Sequence, residues 1–498
     1  GDTFANRFPD PVLQQVENFN NPTETQNDSF KAVSKYFDRI TRPEQILSSL
    51  PQALQVMLDQ ADCGPAVISI SQDVQGEAFD YPEIFFEEQI HEIRRIRPDE
   101  NQLQKAADAI KNSKQPIIIS GGGVLYSEAE KELSDFAKKH NIPVTTTVMG
   151  IGCLQKDDPY YIGPIGCLGV GSSNSLSKDT DLALAIGTKL GDFTTGSWSN
   201  FQNPNFKLVS INAARFDVTK HRSLPVVSDA KLGLQELSKV LDDWKAPTPW
   251  YERAVKELEE WDKYIEKASG PTNQELPSYA HAVGAVYRNS DPSDVVVTAA
   301  GGLVGEAVQI WKPKELNTFE SEWGFSCMGY EISGALGMKM AKPDQDFIVF
   351  IGDGSYLLQN SDIYSSVIYE KKLIIIVCDN GGHMVINRLQ LAKGGKEYLC
   401  NLKAARASNL VEVDFAAHAK SMGAESETVS STSELEAAFL RAKKSNKTYV
   451  ISIKTHGYEW LEGTAFWESP TLEVSSRDEN KKAYQEHLEG KNKQRKGV

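Results

Sequence analysis

A chain of 498 residues with 40 % apolar content can bury two or three separate cores. Its formal net charge of −15, without a basic stripe, excludes nucleic acid and anionic membrane as natural partners, and no run of about 18 apolar residues offers a membrane span. The six cysteines stand far apart with no CxxC and the eight histidines form no HxH or HExxH group, which excludes a disulfide scaffold or zinc framework and fits reduced, mostly buried thiols of a cytoplasmic protein.

The chain opens Gly1-Asp2-Thr3-Phe4 on a loop and short helices, with no signal-peptide pattern. Residues 1–80 contain one clear strand, Ala66-Val67-Ile68-Ser69-Ile70, behind the turn Cys63-Gly64-Pro65. An α/β domain needs more strands than one. The expectation is therefore that 1–80 is the rear of a domain whose leading half lies upstream. Residues 81–98, with Glu87, Glu88, Glu92, Arg94, Arg95 and Arg97, read as a charged linker.

A central domain is expected over 99–272. It begins with a helix, then the strand Gln115–Ser120 running into Gly121-Gly122-Gly123, then strands at Pro143–Thr147, Leu182–Gly187 and Lys207–Ile211. Strands alternating with helical segments predict a doubly wound parallel sheet. The Gly121–Gly123 turn has no matched acidic residue and no GxGxxG, so it reads as a packing turn before a nucleotide site.

A third domain is expected over 273–457, after a Trp- and Glu-rich helix at 250–269, with 458–498 as a tail. In that tail Glu459-Trp460 and Phe466-Trp467 pack on the body and Lys481–Lys496 forms a solvated helix. Within the third domain, Val295–Thr298 is a strand leading to Ala299-Ala300-Gly301-Gly302, and Ser321–Tyr330 precedes an Ala/Gly-rich helix, Ile332–Met340.

The most specific signal lies at 352–382. The apolar run Phe347–Ile351 enters Gly352-Asp353-Gly354; twenty-four residues follow (Ser355 to Cys378), closing with the run Leu373–Val377; then comes Asp379-Asn380-Gly381-Gly382. Short β-branched runs ending at turn residues read as buried parallel strands, and Ser355–Tyr369 has the length of a crossover helix. Neighbouring parallel strands bring their carboxyl ends together at the ligand-binding edge of the sheet. Asp353 would then offer an anionic oxygen, Asn380 an amide oxygen and Gly382 a backbone carbonyl, a set suited to Mg²⁺ with phosphate and water oxygens completing the octahedron. Gly352 and Gly354 permit close approach of a diphosphate, and the helix beginning near Ser355 points N–H groups at it.

This spacing resembles the Mg²⁺–diphosphate motif of thiamine-diphosphate enzymes, with Asp379 in place of the first of two asparagines. The resemblance extends over nearly the whole chain and is to the acetohydroxyacid synthase group: an α/β fold of three doubly wound parallel-sheet domains, the first truncated. It implies thiamine diphosphate and Mg²⁺ as cofactors, with Gly301, Gly302, Ser326, Cys327, Met328, Gly352, Asp353, Gly354, Ser355, Asn380 and Gly382 at the cofactor, and Asp353, Asn380 and Gly382 on the metal. Met328 would be the apolar wedge that bends the cofactor; plain core filling is the alternative. The strings Asp10-Pro11-Val12-Leu13-Gln14-Gln15, Arg39–Gln45, Ser71–Gln75 and Gly324–Ile332 resemble members of the group that hydrolytically open a cyclic 1,2-dione to 5-deoxy-glucuronate in inositol catabolism. A carboligase of the acetolactate synthase type and a cofactor-free scaffold are the competing readings. The group's activating glutamate has no counterpart in 1–80, where Glu24 and Glu44 read as surface residues, so the expectation is that it lies in the upstream segment and the catalytic residue is left unassigned. The basic segment His383–Arg406 is expected to be either a flap over the cofactor or a solvated loop. A homodimer or homotetramer acting on a small molecule follows from the group's habit of pairing domains across subunits.

Overall fold

The computed structural model describes residues 1–8, 10, 12–405 and 409–495. Pro11, Arg406 and Lys496, which enter the sequence arguments above, lie outside the described residues. The chain divides into two compact units, Gly1–Arg97 with Ala213–Phe216 and Val227–Asp229, and Pro98–Asn212 with Asp217–Val226 and Ala230–Val498.

The first unit holds a two-stranded parallel sheet, β1 (Tyr36–Ile40) beside β2 (Ala66–Ile70), in the register Tyr36↔Ala66 to Ile40↔Ile70. The sequence reading found only β2. In β1 (YFDRI) the polar Asp38 and Arg39 interrupt the apolar pattern, because Arg39 is used as a tie. Its guanidinium pairs with fully buried Asp2 (Nε–Oδ2 2.7 Å) and with Asp28, while the Ser69 hydroxyl donates to Asp2 Oδ2 at 2.6 Å. Burying an acid is tolerated only with such partners, so the Arg39–Gln45 string includes an architectural residue.

The second unit holds two six-stranded parallel sheets. One has the order β5-β4-β3-β6-β7-β8, built from β3 (Pro116–Ser120), β4 (Val144–Thr146), β5 (Tyr161–Pro164), β6 (Leu182–Ile186), β7 (Lys207–Asn212) and β8 (Leu224–Val227). The other has the order β10-β9-β11-β12-β14-β13, built from β9 (Val295–Thr298), β10 (Phe319–Ser321), β11 (Phe347–Gly352), β12 (Ile374–Asp379), β13 (Glu425–Val429) and β14 (Tyr449–Lys454). Both sheets are buried on two faces, and the alternation of side chains shows it. Along β11, Ile348 and Phe350 join one core cluster while Phe347, Val349 and Ile351 join another. Along β3, Ile118 and Ile117/Ile119 divide in the same way. Each fully buried Ile or Val of this kind contributes about 1.5–3 kcal/mol of transfer free energy.

At the amino ends of the second sheet, Lys443 is shared by Asp291 (2.9 Å), Asp294 (2.5 Å) and Asp346 (2.9 Å). That acidic cluster is satisfied by a lysine and is a structural tie at the end opposite the strand tips. No helix is long and apolar enough to cross a membrane among the described residues.

Three expectations change. The crossover read as one helix over Ser355–Tyr369 is two, Asp353–Leu358 and Asp362–Ile368, with Gln359 extended at the break. The cysteines are free, but only Cys153, Cys167 and Cys378 are buried, while Cys63 and Cys327 are exposed. The segment after Gly382 is not an irregular loop throughout: Met384–Ala392 is helical, with Asn387 buried and Arg388 lying over the Trp460 ring at 4.4 Å.

Candidate functional site

β11 and β12 pair in parallel with Gly352 opposite Cys378, so the residues that follow emerge side by side at the carboxyl edge. Asp353 is 4 % exposed, and its Oδ2 accepts the Gly382 N–H at 2.7 Å. One end of the Asn380 amide lies 3.3 Å from Asp353 Oδ1 and 3.0 Å from the Gly382 carbonyl oxygen; the other lies 2.7 Å from the Tyr279 hydroxyl. A carboxylate, an amide and a peptide carbonyl therefore converge from two strand tips. Gly381 and Gly382 make this possible with φ of +81° and +138°, and a Cβ on Gly382 would stand 2.4 Å from the Cys400 carbonyl oxygen. Among the described residues no three His, Cys, Asp or Glu side chains gather to hold a metal. With the Asn380 amide oxygen turned inward, the donor set would be hard and oxygen-only, which suits Mg²⁺ or Ca²⁺ and not Zn²⁺.

Burial, and then the neighbouring Asp379 charge, push Asp353 up to about 7. Asp379 is also raised by burial, while its Oδ1 accepts the Gly381 N–H at 3.0 Å. Two crowded carboxyls in low dielectric disfavour their charged forms. A divalent cation against Asp353 would reverse that balance, and in this sense the residues fit the ion.

The turn after β9 brings a helix N-terminus to the same edge. Gly301 has φ +79° and caps the helix Gly302–Ile310, and nothing lies within 4 Å of where its Cβ would be. The first-turn N–H groups of such a helix favour an anion. Gly354 is held differently: a Cβ there would stand 2.6 Å from the His383 ring, so the glycine admits that imidazole. The Ser355 hydroxyl is committed within the protein, bonded to both Glu331 oxygens at 3.0 Å and accepting the Gly329 N–H at 2.8 Å.

Between β10 and the helix Tyr330–Ala341, Glu322 accepts the Phe325 N–H (3.0 Å) and the Cys327 N–H (2.5 Å), holding the loop that presents Ser326, Cys327 and Met328. Ser326 has φ +54°, an uncommon conformation for a non-glycine residue. Met328 is 36 % exposed and is not core filling. In the first unit, Glu24 is exposed and Glu44 pairs with Arg42.

Two residues of this edge escaped the sequence reading. Glu331 is fully buried and ties three segments: its Oε2 accepts the Gly329 N–H at 2.8 Å, its Oε1 the Ala300 N–H at 3.4 Å, and both meet Ser355. A single carboxylate inside a run of small and apolar residues was a usable signal. Tyr279 offered none, since its partner Asn380 lies about a hundred residues away.

Residues 103–237 match the family described as "Thiamine pyrophosphate enzyme, central domain", and 299–453 match "Thiamine pyrophosphate enzyme, C-terminal TPP binding domain". Curated relatives named 3D-(3,5/4)-trihydroxycyclohexane-1,2-dione hydrolase align along most of the chain. The protein from Halalkalibacterium halodurans is 38 % identical over 97 % of this chain and 80 % of its own length. That from Bacillus licheniformis is 38 % identical over 97 % and 79 %, and that from Clostridium tetani 35 % identical over 98 % and 81 %. By this extent of identity the chain belongs to the 3D-(3,5/4)-trihydroxycyclohexane-1,2-dione hydrolase family of thiamine pyrophosphate enzymes.

Proposed function

We propose that this chain hydrolyses the carbon–carbon bond between the two carbonyls of 3D-(3,5/4)-trihydroxycyclohexane-1,2-dione, using thiamine diphosphate and Mg²⁺. The observation that carries the reading is identity of 35–38 % across 97–98 % of the chain to relatives bearing that name. Addition of water across the bond leaves one carbon as a carboxylate and the other as an aldehyde, so a six-membered ring opens to 5-deoxy-glucuronate in inositol catabolism.

When bound, thiamine diphosphate supplies a carbon nucleophile and a sink for the electron pair of the broken bond. The chain's own residues have simpler tasks. Asp353, Asn380 and Gly382 would hold the metal through oxygens at the tips of β11 and β12. Gly301 and Gly302, with the helix they open, would face the diphosphate. Glu331 keeps the turn after β9, the Gly329 turn and the helix from Asp353 in fixed relation by hydrogen bonds. Ser326, Cys327 and Met328 lie on the loop held by Glu322 and would meet the reactive part of the cofactor. We also propose self-association: Leu357, Leu358, Tyr364, Ile368 and Tyr369, on the crossover that starts at Asp353, are all exposed, an apolar surface that a second copy would cover.

The test is a substrate comparison. With thiamine diphosphate and Mg²⁺, the cyclic dione should release acid stoichiometrically, and pyruvate should give no acetolactate. Acetolactate formation without acid release from the dione would place the chain among the carboligases instead.

A further inference from the structure

Tyr279 stands in the first turn of the helix Tyr279–Asn289, far from the metal motif in sequence, yet it reaches both the proposed diphosphate turn and one proposed metal ligand. Its ring lies against Gly302, where a Cβ would be 3.2 Å from Cε2. Its hydroxyl is 3.6 Å from the place a Gly352 Cβ would take, 3.5 Å from the Cys378 carbonyl oxygen and 2.7 Å from the outer end of the Asn380 amide. The phenol is 9 % exposed, so water is a poor substitute for that contact.

The chemistry of the amide makes the contact matter. An asparagine side chain has one accepting and one donating end. The inner end faces two acceptors, Asp353 Oδ1 and the Gly382 carbonyl. Hydrogen bonding alone would turn the nitrogen inward, which presents N–H groups to a cation and repels it. Metal binding needs the oxygen inward, and the nitrogen must then find an acceptor on the outer side. A phenol can both accept and donate, so the Tyr279 hydroxyl can satisfy either orientation.

We propose that Tyr279 is a positioning residue for Mg²⁺: its hydroxyl accepts the outward Asn380 N–H and so lets the amide oxygen stand toward the cation without leaving the nitrogen unpaired. This inference rests on the metal site assigned above to Asp353, Asn380 and Gly382. Without the hydroxyl, the outward amide nitrogen is left unpaired in a buried place, and the orientation that binds metal is disfavoured.

Tyr279→Phe removes one atom and keeps the ring against Gly302. The measurement is calorimetric titration of Mg²⁺ into protein with excess thiamine diphosphate, alongside thermal unfolding of the cofactor-free protein. The expected result is a roughly tenfold weaker Mg²⁺ affinity with the cofactor-free unfolding midpoint close to that of the wild type. In an Asn380→Asp background, where oxygens stand at both ends and orientation is irrelevant, the same substitution should change Mg²⁺ affinity by less than about threefold. Unchanged Mg²⁺ affinity in Tyr279→Phe would overturn the inference and leave the metal site standing. Equal weakening in both backgrounds would also overturn it, because the hydroxyl would then act by shaping the pocket. Wild-type cofactor binding that does not depend on Mg²⁺ would remove the metal site itself, and this inference with it.

Discussion

Glu306 lies on the helix Gly302–Ile310, whose amino end faces the proposed diphosphate position, and is 3 % exposed. Its Oε1 accepts the Leu461 N–H at 2.9 Å, while Oε2 has no hydrogen-bond partner. Burial pushes the carboxyl up to about 7. Between the ordinary glutamate value of 4.5 and about 7, the folded chain holds a proton that the unfolded chain has released. This group's contribution to stability therefore falls as pH rises through that window and is flat above it. Glu306→Gln cannot ionise. At pH 8 it should be more stable than the wild type by about 1–3 kcal/mol, and at pH 5 the two should nearly coincide. Thermal unfolding of both proteins across pH 5–8 checks this, and parallel curves would contradict it. At this scale, what the sequence reveals follows chemistry and local spacing. Asp353 and Asn380 are legible because a glycine-flanked acid and an asparagine recur at the ends of two apolar runs. Tyr279 and Glu331 act through contacts that cross the fold, and a single sequence does not display those.

Among the elements, six strands buried on both faces were readable from apolar runs, since β3, β6, β7, β9, β11 and β12 fall where the runs predict, whereas the equally buried β5 and β14 were not singled out. β1 and β13 were not, because each carries charged residues within a half-exposed strand (YFDRI and ESETV). The crossover failed for a different reason. Length and composition predicted one helix, but the break at Gln359 is packed against Gly329, a contact that local spacing does not display. A Cβ at Gly329 would stand 2.2 Å from the Gln359 Cβ, and Gln359 sits at the break between the two helices. The glycine run Gly121–Gly123 has a packing explanation. The Gly123 N–H donates to the Gly187 carbonyl at 2.9 Å, and a Cβ on Gly123 would stand 2.6 Å from the Gly187 Cα. Gly123→Ala must separate two backbone segments at the tips of β3 and β6, and should cost about 1–3 kcal/mol of stability. Denaturant unfolding measures it; a variant as stable as the wild type would mean that the close approach is not required.

Across the whole molecule, the pattern of strands and crossovers made a chain of parallel sheets legible, and the two six-stranded sheets follow from it. The tail packs in part as read, with the Trp467 ring 5.0 Å from that of Phe193 and Arg388 over the Trp460 ring at 4.4 Å, but the helix read as solvated over Lys481–Lys496 spans Asp478–Asn492 and buries Asn480, Ala483 and Gly490. The sequence did not reveal that both six-stranded sheets would fall within one compact unit, because such packing depends on surface matches that periodicity does not encode. It did reveal that the tips of β11 and β12 meet, and the proposed metal site depends on that juxtaposition. Calorimetric titration of thiamine diphosphate, with and without Mg²⁺, into the wild type and Asp353→Ala tests that site most directly. The account predicts Mg²⁺-dependent binding in the wild type and its loss, by a hundredfold or more (an order-of-magnitude expectation for removing a charged ligand from a buried site), in Asp353→Ala. Full-affinity, Mg²⁺-dependent binding by that variant would contradict it.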